Sequence, residues 1–349
     1  MSRGRLAAAL AAALVFGGGA LAGCGSAASP SHPASTPGAA STPARAGTYV
    51  NPVWDRDFPD PAVLRAGNTF HAYGTQGGGA NVQTLTSTDL VHWRAGADAL
   101  PQVGRWATAG DTWAPEVIAT GGRYVMYYVA HANTAGKQCI GRATAGDPAG
   151  PFTDPVAAPL VCQAALGGSI DPDPFRAPDG SLYLYWKNDG NCCGKAVHLW
   201  GQQLSADGSR LLGRPVALMT NDRPWQGNLV EAPEMLAHAG GYVLFYSAND
   251  YASPLYGIGW ASCRGPLGPC TDRSSRSLVA SNDVAAGPGH CFPLVLPGGT
   301  VELLYHAWPP DAVGSQSPGR LLWMEPLTWR GDVPVVHPSE ASPQPAPAL

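Results

Sequence analysis

Pro115-Glu-Val-Ile-Ala-Thr-Gly-Gly-Arg-Tyr-Val-Met-Tyr-Tyr128 reads as a short apolar strand, a Gly-Gly turn and an aromatic-rich strand. Gly-Gly between β-formers signals a hairpin, because the tight turn needs positive φ at both central positions. Four more stretches repeat the pattern: Pro61 to Tyr73, Pro174 to Tyr185, Pro233 to Tyr246 and Pro293 to Tyr305. The closing tyrosines Tyr73, Tyr128, Tyr185, Tyr246 and Tyr305 are 55, 57, 61 and 59 residues apart. A unit of that length makes a four-stranded sheet with loops, and such a sheet covers its faces only by stacking on copies of itself. No apolar period of 3.6 is sustained, which excludes a helical solenoid. The pattern predicts an all-β, five-bladed β-propeller over residues 48–338. Ser87 to Trp93, Asp147 to Phe152 and Arg264 to Cys270 trail three of the hairpins and read as one outer-edge turn in successive blades.

Outside the repeats the chain has a different character. Residues 1–23 run from a short basic start through an Ala/Leu-rich stretch to small residues before Cys24, the plan of a secretory signal. Leu21-Ala-Gly-Cys24 resembles the lipobox of bacterial lipoproteins. That resemblance implies an acylated Cys24 and an extracellular domain held to the membrane by lipid alone. Residues 24–47 are nearly all Ser, Pro, Ala, Thr and Gly, a flexible linker. Residues 339–349 read as a Pro-rich tail. Net charge is −4 with 13% charged residues and no Lys/Arg run, which argues against a nucleic-acid partner. A monomer is expected. Seven cysteines follow Cys24, and an oxidising compartment favours disulfides. Cys139–Cys162 and Cys263–Cys270 are the first pairs to consider, while no spacing suits zinc.

The chemistry is expected at the heads of the repeats. Asp60, Glu116, Asp171 with Asp173, Glu231 with Glu234, and His290 stand just ahead of or within the first strand of each unit. In a propeller those strands line the central channel, so the groups are expected to converge on one axial spot. Burying several charges without use is costly. Converging carboxylates either hold a cation or divide acid and base roles through separated pKa values. Glycoside hydrolysis needs the second arrangement, and a third carboxylate beside the acid raises its pKa by like-charge repulsion.

Asn51 to Val63 with its Phe58-Pro-Asp60-Pro core, Trp113-Ala-Pro-Glu-Val117, Ser169-Ile-Asp171-Pro172 and Val230-Glu-Ala-Pro233 resemble glycoside hydrolase family 43 in motif and order. The resemblance spans most of residues 49–330. It implies a five-bladed propeller that cleaves arabinans, arabinoxylans or xylans with inversion. By the same resemblance Asp60 is the general base, Glu231 the general acid and Asp171 the group that orients the acid and raises its pKa. Asp57, Glu234 and Asp173 are the respective rivals. Glu116 is expected to shape the substrate pocket, and Trp113 and Trp225 to stack on sugar, with Trp186, Trp54 and Phe58 as further aromatics. No cofactor is required. His290 resembles an axial histidine that in several members faces a calcium or sodium ion through water, a hydrogen-bonded core histidine being the alternative. Residues 188–194, Asn-Asp-Gly-Asn-Cys-Cys-Gly, are expected to form a disulfide-shaped loop. Release of arabinose from α-L-arabinofuranosides of plant polysaccharide is the leading expectation. β-Xylosidase and endo-arabinanase are alternatives, as is a non-catalytic sugar-binding lipoprotein.

Overall fold

A computed structural model describes residues 47–349. The expected signal peptide and lipidated linker lie outside the described residues. After β1 (Thr48–Tyr49), blade I contains β2 (Ala62–Ala66), β3 (Thr69–Gly74), β4 (Gln83–Ser87) and β5 (Arg94–Ala95). Blade II has three strands, β6 (Ala107–Thr120), β7 (Arg123–Ala132) and β8 (Lys137–Ala145). Blade III is β9 (Ser169–Arg176), β10 (Leu182–Asn188), β11 (His198–Leu204) and β12 (Leu211–Thr220). Blade IV is β13 (Val230–His238), β14 (Gly241–Ala248), β15 (Gly257–Cys263) and β16 (Cys270–Asp272). Blade V is β17 (Ala286–Val295), β18 (Val301–Trp308), β19 (Leu321–Arg330) and β20 (Val333–Val336), and β21 (Gln344–Pro345) follows. Each blade is an antiparallel meander, and no α-helix occurs among the described residues. The five-bladed propeller expected from the repeat is the observed architecture.

The hairpin turns behave as their sequences require. Gly121 and Gly122 both take positive φ (59° and 71°) between β6 and β7. Blade IV makes the corresponding turn with Ala239 and Gly240, so Ala239 carries a left-handed conformation that favours glycine. Each closing tyrosine lies on the second strand of its blade, is buried, and reaches outward with its hydroxyl. Tyr73 and Tyr185 donate to the carbonyls of Pro148 and Pro266 on the following blade's outer turn (2.6 and 2.8 Å). Tyr128 and Tyr246 donate to Asp154 and Asp272 (2.7 and 3.0 Å), and Tyr305 pairs with Ser339 (2.7 Å). A buried phenol needs such a partner, so the tyrosine period records a hydrogen-bonding requirement as well as packing.

No single core exists. Five apolar clusters fill the five blade boundaries, and each blade contributes to two of them. Blade I meets blade V through the segment ahead of it. Asn51 exchanges hydrogen bonds with the Met324 backbone (2.8 and 2.9 Å), Trp54 bridges to Leu322, and Phe58 N–H reaches Arg320 O at 2.8 Å.

The segment after residue 338, read from sequence as a tail, is built into the fold. β21 pairs with β1, Ser339 caps Tyr305, and Glu340 N–H donates to Glu325 (2.9 Å). Proline content alone misled here, because an edge strand of two residues tolerates proline. Ending the chain at Pro338 strips Ser339 from buried Tyr305, while Tyr49 loses Gln344 but keeps Met324 O. An unsatisfied buried hydroxyl costs about 1–3 kcal/mol and the β1–β21 pairing goes with it, so calorimetry is expected to show Tm lowered by roughly 3 °C or more. An unchanged Tm contradicts this role.

Candidate active site

One backbone feature recurs at the head of every blade. Asp60, Ala114, Asp171, Ala232 and His290 all have positive φ, between 42° and 55°. Four of them precede proline. In blades II to V the innermost pairing shifts register beside this residue. The N–H so exposed is satisfied across the blade boundary in four cases. Thr75 Oγ1 accepts from Ala114 (2.8 Å), Asp171 Oδ2 from Ala232 (3.0 Å), Ser247 Oγ from His290 (2.7 Å) and His306 Nδ1 from Asp60 (3.1 Å). The kink turns the side chains at this level toward the mouth of the channel. It thereby separates them from those two residues further on.

The result is two tiers where the sequence suggested one. The upper tier opens on a cavity of about 370 Å³ lined by Asp60, Asp171, Glu231 and His290 together with Thr75, Trp113, Lys187 and Arg320. Ile170, Tyr251, Tyr256, Asp189, Asn191 and Cys192 complete the wall. Glu116, Asp173 and Glu234 form the lower tier, buried, with oxygens within 4.8 Å of one another. Glu116 therefore does not line the pocket, and neither do the rivals Asp173 and Glu234.

Asp60 is surrounded by donors. Arg320 Nη1 lies 2.8 Å from Oδ1, and Thr75 Oγ1 donates to Oδ2 at 2.5 Å. His290 Nδ1 approaches Oδ1 at 3.3 Å. Burial alone would raise its pKa, but the charge of Arg320, then that of His290, outweighs burial and holds the carboxyl well below the usual range. His306 also lies 3.3 Å from Oδ1, yet burial pushes its pKa down to about 4. A neutral ring accepting the Asp60 N–H at Nδ1 cannot donate there, so that approach is not an ion pair. Asp57 is the rival that falls away. Its Oδ1 accepts the Arg320 N–H at 2.9 Å and so sets the position of that arginine.

Glu231 has a different environment. Lys187 Nζ lies 2.8 Å from Oε2, and Tyr256 donates to Oε1 at 2.8 Å. Lys187 is 1% exposed; burial lowers its pKa, but Glu231 and Asp171 outweigh this and raise it, so the ammonium stays charged. Asp171 accepts the N–H of Ala232, the residue after Glu231, and thereby fixes the strand that carries it. Burial, with the charges of Glu231 and Asp60, raises Asp171 to about 6 against the opposing pull of His290 and Lys187.

The aromatics sort by direction. Trp113 faces the pocket with Tyr251 and Tyr256. Trp225 does not: its indole donates to Ser274 O (2.8 Å) and its ring stacks on Tyr246, within the packing of blades III and IV. Trp186 donates to Gln163, Phe58 is fully buried, and Trp54 packs at the boundary of blades V and I. Sequence reasoning missed Lys187, Thr75, Arg320 and Tyr256. Thr75 and Lys187 carried a signal, since each stands two residues after its blade's closing tyrosine. Cys139–Cys162 and Cys263–Cys270 pair, Cys192 pairs with Cys193, and Cys291 is free and buried.

The lower tier offers oxygen donors only, the set that a hard cation such as Ca²⁺ takes. A cation there would neutralise the three carboxylates; His290 is not among these donors. With no cation they must hold protons. Burial, followed by the neighbouring carboxylate charges, raises Glu116 and Glu234 well above their ordinary range, and burial raises Asp173 to about 8. Such groups stay protonated when folded after their unfolded counterparts have ionised near pH 4. Their stabilisation is complete below that pH and is lost as pH rises toward the folded values. His306 acts in the opposite sense, but only between about 4 and its ordinary 6.5. Glu302 and Glu325, raised to about 7 chiefly by burial, add to the loss. In chelator, Tm is therefore expected to fall between pH 6.5 and 8, and Glu234→Gln to flatten the fall. A wild-type Tm that is constant over this interval contradicts a protonated lower tier.

Comparison with known proteins agrees with this fold. Residues 49–334 match the model of glycosyl hydrolases family 43. Over 281 residues the chain is 26% identical to a β-D-galactofuranosidase of Aspergillus niger, covering 75% of this chain and 76% of that one. Over 224 residues it is 28% identical to the arabinoxylan arabinofuranohydrolase of Bacillus subtilis, covering 55% of this chain and 41% of that one. It thus spans less than half the length of that relative. The crystal structure of a thermostable family-43 glycoside hydrolase superposes with a TM-score of 0.78 at 30% identity, covering 86% of this chain and 99% of that one. With the match running from before blade I into blade V, the chain belongs to glycosyl hydrolase family 43.

Proposed function

We propose that this glycosidase releases arabinose from the non-reducing ends of α-L-arabinofuranosides in arabinan or arabinoxylan, with inversion. The observation that carries the reading is the unlike treatment of two pocket carboxylates. Asp60 is held ionised by Arg320 and Thr75, as a base that activates water must be. Glu231 has a cation and a phenol on its two oxygens, which stabilise the carboxylate left after a proton passes to the leaving oxygen. Beside it Asp171, raised to about 6, keeps its own proton in weak acid and, through the Ala232 N–H, fixes the peptide that carries Glu231. A cavity of about 370 Å³ is near the lower end for small-molecule sites. That size suits a chain end better than the middle of a polymer.

A second reading is supported by the Aspergillus niger relative, a β-D-galactofuranosidase. Both sugars are five-membered rings, so the assay includes the galactofuranoside beside the arabinofuranoside and the xyloside. No cofactor enters the proposed reaction. The export signal, the lipid on Cys24, the extracellular location and the monomeric state belong to the same proposal, and the sequence of residues 1–47 supports the first three.

Asp60→Asn and Glu231→Gln are each expected to lower kcat by roughly 10³-fold or more on nitrophenyl α-L-arabinofuranoside while Tm is retained. Near-normal turnover in both removes the assignment. The pH profile of kcat/KM is expected to fall on the alkaline side near pH 6, where Asp171 loses its proton. Its acid limb lies below the usual carboxylate range. Arg320→Met removes the closest cation from Asp60, so that limb is expected to move up by about one pH unit or more. An acid limb that stays in place shows that Arg320 does not tune the base.

A further inference from the structure

Three disulfides form, and two have an obvious structural use. Cys263–Cys270 joins facing residues of β15 and β16, and Cys139–Cys162 closes a span of 23 residues. Cys192–Cys193 joins neighbours in sequence, so it closes no loop and constrains almost nothing in the unfolded chain. Stability does not account for it. Its place in the fold does.

The pair sits in a single helical turn, Gly190–Cys193, that follows β10 directly. This turn is held tightly. Asn188 Nδ2 donates to the carbonyls of Leu166 and Ala196 (3.0 and 2.9 Å), and its Oδ1 accepts from His198 N–H and Trp200 Nε1 (2.8 and 3.0 Å). Lys195 N–H bonds Gly190 O at 2.9 Å, and Asp189 N–H bonds Gly168 O at 3.2 Å. A Cβ on Gly167 would lie 2.2 Å from Asp189 O, so the two turns touch as backbones. Lys137 Nζ meets Cys193 Sγ at 3.0 Å from outside. Cys192 is exposed and lines the cavity beside Asn191 and Asp189. Asp189 in turn lies 3.8 Å from Lys187, the partner of Glu231. The turn therefore belongs to the Glu231 wall, whereas Asp60 and Arg320 belong to another.

We propose that the Cys192–Cys193 disulfide is a sugar-binding surface. The Cys192 sulfur, locked in place by its bond to Cys193, forms a rigid, polarisable surface against the C–H face of the sugar unit on the Glu231 side of the pocket. Sulfur makes favourable contacts of this kind, and a disulfide between neighbours presents them with no rotamer freedom left to lose. The inference rests on the proposed glycosidase site and names a contact within it.

The test uses the full chain with Cys192→Ser and Cys193→Ser combined, assayed on α-1,5-arabinotriose. KM is expected to rise by about tenfold, with kcat, the alkaline limb of the pH profile and Tm retained. An unchanged KM overturns the proposal. A kcat and alkaline limb that move together show action through Asp189 and Lys187 instead, and a lowered Tm shows a structural staple; either result overturns it too. Should the variant not fold, the wild-type protein is treated with a water-soluble phosphine. The phosphine becomes its oxide, with oxygen from water, as the exposed S–S bond becomes two thiols. Mass mapping confirms that only Cys192 and Cys193 are reduced, and the same rise in KM is expected. If wild-type enzyme cleaves a xyloside or galactofuranoside in place of the arabinoside, the proposed sugar is wrong, and the comparison is made on that substrate. If it cleaves none, dissociation constants for arabinotriose with and without the disulfide are compared by calorimetry.

Discussion

The whole site depends on one backbone conformation, the left-handed residue that interrupts the innermost strand of every blade. A non-glycine residue in this region costs of order 1–2 kcal/mol, and five blades each carry one. Two things offset that cost. The proline that follows in four blades has no N–H to leave unpaired. The N–H of the kinked residue itself is accepted in four blades by a side chain of the preceding blade. Each kink is thus also a seam. Asp171 shows why this matters for chemistry, since the oxygen that closes the seam to blade IV also fixes the peptide beside Glu231.

The kinks divide the channel into tiers with opposite electrostatic solutions. Above them, two of the three carboxylates are paired with cations, Asp60 with Arg320 and Glu231 with Lys187, while the third, Asp171, is raised to about 6. Below them, three carboxylates face one another, and either protons or a hard cation must neutralise them. Buried charge is tolerated in the upper tier because each group has a specific partner, and that pairing differentiates the two carboxylates. Arg320 does more than supply charge. Its guanidinium packs against Tyr251 at 5.0 Å and Trp308 at 6.0 Å, so one side chain orders part of the rim and Asp60.

The fold was legible because a propeller writes its unit five times. Tyr73, Tyr128, Tyr185, Tyr246 and Tyr305 mark the second strand of every blade, and each meets the same requirement for an outward partner. Asp60, Asp171 and Glu231 were legible through their motifs. The tiers were not, since a left-handed residue leaves no mark in sequence when it is Ala or Asp. Glu116 therefore seemed equivalent to Asp60 although it lies on the lower level. Trp225 misled for another reason: proximity in sequence to Glu231 does not fix on which side of a turn an indole packs. Arg320 offered no signal, because it reaches Asp60 across 260 residues and the closure of the ring.

The proposed reaction has water approaching from the Asp60 wall and the proton from the Glu231 wall. That claim has a direct stereochemical consequence. Proton NMR of the sugar released in the first minutes of reaction, before mutarotation, reports which face the water attacked. The account predicts a product whose anomeric configuration is opposite to that of the substrate. Retained configuration would mean that a carboxylate attacks carbon directly, and would contradict the role given to Asp60.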